Sequence, residues 1–492
     1  MKLWKILILS LSYLSSSISL FKIAKNINSN QYVINDENNN QVFFKGVNAV
    51  VKGSPYHPKI TNFDYELSLV DKDFQILYNM GVNLIRLGTM WSGFEPEKGK
   101  FNATYINNLK TIIRNGKKYD TFFILDMHQD VLSEAFCGEG LPLWTINTNT
   151  LLKFPIPLST ISYDTINKIP SKKDCSKKKW PAYYISKAVS KNSQDLYNGR
   201  LLPYIRRFWS KVAQEFSNET NVIGYELINE PWPGDIYTNP LRLIPEYANR
   251  FNLQEFYKKL SQSIRIYDNN TLIFFAPITW SNDNLGFTES PDEKCVLAYH
   301  WYTPPQKKKE SELYIKKKVD EANYLKCASM ITELDRPFLN SSENNLFHNV
   351  TYNANKYLQS WIIWEYKPFC NKKDFGACIT GYGGNVWKNN THTNTKIVNI
   401  LTTPYPIKIN GYIDFYQYDS IKNTFELSYD SYCNKLYSRI YLPKNFVISN
   451  QTNAIRIISD IGDDNYINIF VNCPKNRNIK KIYIKAKSIN KN

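Results

Sequence analysis

Tyr225 to Pro231 reads YELINEP: an apolar run that ends on an amide and an acid, Asn229 and Glu230, with proline next. A second acid, Glu333, closes another apolar run in TELD, residues 332–335. Two carboxyl groups facing each other across a cleft suit glycoside hydrolysis. One attacks the anomeric carbon while the other protonates the leaving oxygen and then activates the water that releases the sugar. A separation of about 5 to 5.5 Å routes that chemistry through a glycosyl-enzyme and retains configuration.

The neighbours of the pair are expected to serve it. Asn229 can hydrogen-bond a sugar hydroxyl, and Arg86 can keep Glu333 ionised. Repulsion between the two carboxylates favours a proton on Glu230. His300 and Tyr302 can orient the acids, and Trp364 offers an apolar face to a sugar ring. In DMHQD, Asp126, His128 and Asp130 alternate, which raises a metal site. The chain has five histidines and no second cluster to complete a four-ligand shell, so a hydrogen-bonding sugar site or a structural His-Asp pair fits better. No metal and no cofactor is expected. There is no G-x-S-x-G nucleophile motif, and the cysteines of a secreted chain are expected to pair.

These residues recur at the ends of apolar runs, and the runs define the elements that must position them. Strand-like segments occur at 41–50, 82–91, 119–130, 222–231, 271–280, 294–302, 327–335 and 360–368. Their near-continuous Val, Ile, Leu, Phe and Tyr content is that of parallel strands covered on both faces. Between them lie helical patterns such as 103–118, where Ile106, Leu109, Ile112 and Ile113 share a face, and 190–217, where Pro203 marks a break or a start. Strand and helix alternating eight times predict an α/β fold, a (β/α)8 TIM barrel, whose functional groups sit at the strand C-termini. The strand ends carry Asn48, Arg86, Asp126 with His128 and Asp130, Asn229 with Glu230, Trp280, His300 with Tyr302, Glu333, and Trp364. Beyond Pro404 and Pro406, short alternating runs predict a small antiparallel β-sandwich. The expected division is a signal peptide at 1–19, the barrel at 20–403 and the sandwich at 404–492.

The first 19 residues place Lys2 and Lys5 before an apolar stretch, Ile6 to Leu14, and small residues up to Ser19, as a signal peptide does. Secretion, or delivery to a lysosomal or other endomembrane lumen, follows. Eight cysteines and Asn-x-Ser/Thr sequons at Asn102, Asn218, Asn269, Asn340, Asn349, Asn389 and Asn450 agree with it. Cys370 with Cys378 and Cys433 with Cys473 are the expected cysteine pairs. The net charge of +17 comes from scattered or short lysine clusters, such as KKDCSKKKW, without a nucleic-acid-binding signature. No nucleic-acid partner is expected. A monomer is expected, and an anionic membrane surface is a partner such charge can attract.

The order Arg86, His128, Asn229-Glu230, His300-x-Tyr302, Glu333, Trp364 resembles glycoside hydrolase family 5. The stretches GVNAVVKGSPYHP, DMHQDVLSEAFCGEGLPLW and YELINEPWPG are similar to its endoglycoceramidase branch. FELSYDSYCNKLYSRIYLP, 425–443, extends the likeness to that branch's C-terminal β-domain. The resemblance implies retaining cleavage between oligosaccharide and ceramide in glycosphingolipids, with Glu333 as nucleophile and Glu230 as acid/base. It also implies sugar contacts from Lys52, Asp126, His128, Asp130, Asn229, Tyr302 and Trp364. Where the family follows its nucleophile with an aromatic residue and glycine, this chain reads TELDRP, and a Lys-rich segment at about 145–190 has no counterpart. Related branches act as glucosylceramide or steryl-glucoside β-glucosidases. Other readings are a β-1,4-glucanase or mannanase of the same family, or a carbohydrate- or lipid-binding barrel without turnover.

Overall fold

Each of the eight apolar runs forms a strand in the computed structural model. The model describes residues 20–492 except 165–168, 280–285, 304–305, 307–309, 336–340, 370–385, 435, 454, 461–462, 474–478 and 490–492. In chain order the strands are Lys45–Ala49, Leu84–Gly88, Phe122–Asp126, Val222–Glu226, Leu272–Phe275, Cys295–Trp301, Ala328–Asp335 and Ser360–Trp364. All neighbours run parallel, and the eighth pairs with the first through Trp361, Ile362 and Ile363, so the sheet closes into a barrel. The expected signal peptide, Trp280 and the Cys370–Cys378 pair lie outside the described residues.

The helices follow from the same periodicity. Ala103–Lys117 buries Ile106, Leu109, Ile112 and Ile113 and starts at Asn102, whose side chain accepts the Tyr105 N–H at 3.1 Å. The 190–217 pattern is two helices, Lys187–Asn198 and Leu202–Phe216, with Pro203 in the first turn of the second. Inside the barrel a cluster draws Phe44, Leu84, Ile124, Leu272, Val296, Met330 and Ile362 together.

The N-terminal boundary of the barrel differs from the sequence reading. Residues 21–42 do not enter the barrel. Phe21–Asn26, Gln31–Asp36 and Gln41–Val42 join a seven-stranded sheet with strands Tyr405–Ile409, Ser438–Tyr441, Ile455–Asp460 and Asp463–Val471. The 41–50 run is therefore broken after Val42, which pairs with Lys408, and resumes at Lys45 as the first barrel strand. The hairpin also packs Phe21 against Phe44 and Phe122, at ring separations of 5.8 and 5.3 Å, over the starts of the barrel strands. That dual attachment is non-local, and no local pattern encodes it.

The seven-stranded sheet and a four-stranded antiparallel sheet, formed by 411–419, 424–432, 446–451 and 479–488, share a core of Ile409, Ile413, Phe425, Leu427, Tyr429, Ile440, Ile469 and Ile482. This is the expected β-sandwich. Tyrosine hydroxyls fasten it to the barrel. Tyr466, Tyr441 and Tyr405 donate to the carbonyls of Tyr78, Asn79 and Gly81, each at 2.7 Å, at the end of helix Asp71–Asn79. Carbonyls at and just past a helix C-terminus have spare acceptor capacity, and these bonds use it to join the two domains. A disulfide joins Cys433 to Cys473 as expected, and two more join Cys137 to Cys175 and Cys295 to Cys327. No described helix is long and apolar enough to cross a membrane.

Candidate active site

Arg86 lies in the middle of the second strand with its side chain fully buried, and its guanidinium organises the floor of the site. Nε and Nη2 grip Glu226 at 2.7 and 3.0 Å. Nη1 donates to Glu333 at 2.8 Å and to Asn48 at 3.0 Å, while Nη2 reaches Asn229 at 2.9 Å and Asp126 at 3.1 Å. Burial opposes the charge on Arg86, but Asp126, Glu226 and Glu333 outweigh it and raise its pKa. Glu226 itself is shifted upward, because its burial outweighs the pull of Arg86.

Above this floor stand the two acids. Glu230 offers an oxygen to His300 Nδ1 at 2.9 Å, and Glu333 offers one to the same nitrogen at 3.5 Å. One carboxylate oxygen of each acid and a ring nitrogen of His300 all lie within 4.8 Å of one another. Tyr302 donates its hydroxyl to that same Glu333 oxygen, Oε2, at 2.5 Å, while Arg86 holds Oε1, and both burial and the carboxylate raise the Tyr302 pKa well above normal, so it remains a donor. Burial disfavours the His300 cation, yet Glu333 and Glu230 together lift its pKa.

The Glu230 backbone has a φ of 35°, which side-chain-bearing residues rarely adopt and which costs about 1–3 kcal/mol. Gln129 holds that turn: its Nε2 donates to the carbonyls of Asn229 and Glu230 at 2.7 and 3.0 Å. Asn229 returns a bond from Nδ2 to the Gln129 carbonyl at 3.0 Å. The apolar run therefore ends on Asn-Glu, just beyond the strand Val222–Glu226, because the amide locks the turn that projects the acid.

A second charged cluster lies alongside. His128 Nδ1 donates to Asp126 at 2.8 Å, and the ring stacks on Trp364, with ring centres 5.3 Å apart and planes 16° apart. Burial works against its protonation, but Asp126 prevails and its pKa rises to about 9. Lys52 pairs closely with Asp130, lies 3.1 Å from Glu139 and sits 5.0 Å from the centre of the Trp364 ring. Asp130 and Glu139 are bound back to back through their backbones, at 3.1 and 2.8 Å. Their shared burial drives the pair apart: Lys52 holds Asp130 ionised, while desolvation and Asp130 push Glu139 upward.

All the sequence-selected residues, Lys52, Arg86, Asp126, His128, Asp130, Asn229, Glu230, His300, Tyr302, Glu333 and Trp364, thus gather at one end of the barrel. Two are placed less openly than expected. Asp126 is fully buried behind His128 and Arg86, and one face of Trp364 is covered by His128. Sequence reasoning missed Glu226, Gln129 and Glu139. Glu226 lies within YELINEP, four residues before Glu230, and an acid inside a buried strand beside a buried arginine was the available signal. The oxygens and nitrogen of His128, Asp130 and Glu139 could embrace a cation, and the Lys52 ammonium supplies one on two of the three. The Lys-rich insert contributes Tyr184, which stacks on Trp232 at 5.1 Å just past the Asn229-Glu230-Pro231 turn.

Residues 36–370 match the family described as Cellulase (glycosyl hydrolase family 5). The chain belongs to glycosyl hydrolase family 5. Within it, the family 5 chain is 35% identical over 419 residues to an endoglycoceramidase of Cyanea nozakii, covering 83% of this chain and 82% of the relative. An endoglycoceramidase of Hydra vulgaris is also 35% identical, over 82% of this chain and 77% of its own. These matches place this hydrolase in the endoglycoceramidase branch. Endo-glycoceramidase II from Rhodococcus sp. superposes with a TM-score of 0.71 at 17% identity over 93% of this chain and all of that one, which establishes the shared barrel-plus-sandwich fold.

Proposed function

We propose that this hydrolase cleaves the β-glycosidic bond between oligosaccharide and ceramide in glycosphingolipids, with retention of configuration. The observation that carries the reading is the convergence of Glu230 and Glu333 on His300, with an oxygen of each acid within 4.8 Å of the other, a close approach of the kind a double-displacement pair requires. Glu333, held by Arg86 and Tyr302, attacks the anomeric carbon. Glu230 protonates the ceramide oxygen and then takes a proton from the water that opens the glycosyl-enzyme.

The remaining groups suit recognition of the sugar. Asn229 spends one amide N–H on Gln129 and keeps a second for a hydroxyl beside the reacting carbon. His128 Nε2 has no hydrogen-bond partner among the described residues, the nearest acid being Asp130 at 3.6 Å, so it is positioned to donate to a sugar. Lys52 and Asp130 offer a donor and an acceptor at the rim beside Trp364. Beside the reacting bond, Glu230 lines a small cavity with apolar Ala276, Pro277 and Ile278 and polar Thr279, Tyr302 and Gln306, a mixed wall that suits the junction between a polar and an apolar part of a leaving group such as ceramide. The enzyme acts as a monomer outside the cell or in an endomembrane lumen, the setting in which its disulfides persist.

The test is mass spectrometry of products from the mature protein incubated in detergent with a ganglioside, glucosylceramide and a soluble β-glucan, beside a Glu333→Gln control. Intact oligosaccharide with free ceramide, absent in the control, is the expected result. Glucose from glucosylceramide alone would assign an exo-acting glucosidase, and a cut β-glucan with untouched lipids would exclude glycolipid cleavage.

A further inference from the structure

The loop that follows the fourth strand carries Leu241, Leu243, Ile244 and Phe251 with about half of each side chain in water, at 51%, 50%, 48% and 59% exposure. Isolated exposed apolar residues are ordinary, but these lie within eleven positions of one another. The loop is not a loose excursion. Asn252 ties it to the Pro233 carbonyl at 2.7 Å, and Asn249 accepts the Ile278 N–H at 2.9 Å. Ile278 is buried and is also a wall of the cavity beside Glu230, so the segment that carries the exposed side chains is fixed directly to that cavity's wall.

The patch extends across to the insert after the third strand. Tyr237, half exposed, donates its hydroxyl to the Ile185 carbonyl at 2.5 Å, and the Lys187 ammonium lies over the Tyr237 ring at 5.4 Å. Lys187 in turn donates its backbone N–H to the carbonyl of exposed Ile156 at 2.8 Å. The charges interleaved with these side chains are Lys187, Arg242 and Arg250 against Glu246 and the buried Asp235. Apolar side chains among an excess of cations, on one rim of a chain of net charge +17, are the complement of an anionic lipid surface: the hydrocarbon boundary takes the former and the headgroups the latter.

We infer that the surface formed by residues 237–251 and the adjoining Ile156, Ile185 and Lys187 docks on an anionic bilayer and sets the cavity beside Glu230 against the membrane that holds the substrate. The inference rests on the glycolipid reading for its purpose but not for its test. Docking removes the need to draw the whole lipid into water before cleavage. It also assigns a task to the insert, whose Lys187 meets the headgroups while Ile156 and Ile185 enter the boundary.

The experiment is co-sedimentation of the full mature chain with vesicles of phosphatidylcholine alone and of phosphatidylcholine with phosphatidylserine, at low and high salt. Three proteins are compared: wild type, Leu243→Asp with Ile244→Asp, and Arg242→Gln with Arg250→Gln. Wild type is expected to bind the phosphatidylserine vesicles preferentially and to release in high salt. The aspartate variant is expected to bind roughly tenfold more weakly and the glutamine variant to lose its preference for phosphatidylserine, from the combined apolar and electrostatic origin of such binding. Both are expected to hydrolyse a soluble aryl glycoside at the wild-type rate, which certifies their folding. Equal binding by all three proteins, or none by wild type, overturns the inference, as does a wild-type dimer in analytical ultracentrifugation that the aspartate pair dissociates. Vesicle binding without cleavage of any micellar glycolipid would instead sink the proposed substrate and leave the docking surface standing.

Discussion

Arg86 holds Glu226 with two nitrogens and Glu333 with a third, at 2.7, 3.0 and 2.8 Å, so one buried cation binds a structural acid and the proposed nucleophile at once. A fully buried cation with five partner residues is costly to dismantle, because each partner left behind is a desolvated polar group. Arg86→Met is expected to destabilise the fold by about 3–5 kcal/mol in urea unfolding. Glu226→Gln keeps the shape and one hydrogen bond. It is expected to remain folded while kcat falls about 10- to 100-fold, as removal of a partner that orients a reacting group does. An unchanged kcat would mean that Glu226 does not help place Glu333.

Tyr302 donates to Glu333 at 2.5 Å from a site that disfavours the phenolate. A hydrogen bond to a charged group is worth about 1.5–3 kcal/mol. Tyr302→Phe is accordingly expected to lower kcat about 10- to 100-fold with a nearly unchanged KM, and steady-state kinetics on an aryl lactoside would measure it.

If Glu230 is the acid/base, its loss matters least for a leaving group that needs no proton. Glu230→Ala is expected to lose about 100- to 10,000-fold on a glycolipid. It should still form the glycosyl-enzyme from a dinitrophenyl glycoside, and added azide should accelerate turnover and yield a β-glycosyl azide. An α-glycosyl azide would contradict retention.

His128 has a folded pKa raised to about 9 against an ordinary value near 6.5. The folded state therefore binds the proton more tightly, and the stabilisation is complete below about pH 6.5 and is lost as pH rises through about 9. Glu139, also shifted upward, acts in the same direction, since its buried carboxylate becomes costly when it ionises. Unfolding free energy is expected to fall across pH 6.5–9, with His128 contributing roughly 3 kcal/mol. His128→Gln should flatten that part of the profile, and an unaltered slope would show that the proton resides elsewhere.

Cys295 and Cys327 join the start of the sixth strand to the residue just before the seventh, across 32 positions. Loop-closure entropy for such a span amounts to about 4 kcal/mol. Cys295→Ala with Cys327→Ala is expected to lose up to that much in denaturant unfolding while kcat changes little, because the bond sits at the end of the barrel opposite Glu333.

Sequence alone determined the barrel, since eight double-covered strands write their burial into continuous apolar runs, and it determined the polar residues that end them. Helix Ala103–Lys117 and the sandwich strands were equally legible, because periodicities of 3.6 and 2 are local properties. Closure of the barrel decided what those patterns could not. It brought Glu226, four residues from Glu230, into the grip of Arg86 from another strand, and it set Glu139 against Lys52 across the loop after the third strand. Likewise the hairpin at Phe21–Asp36 was assigned to the sandwich sheet only by strands some 370 residues downstream. Local sequence encodes which face of an element is buried. Which other element covers that face, and which buried charge meets which, follows from contacts between distant segments that exist only once the chain has folded.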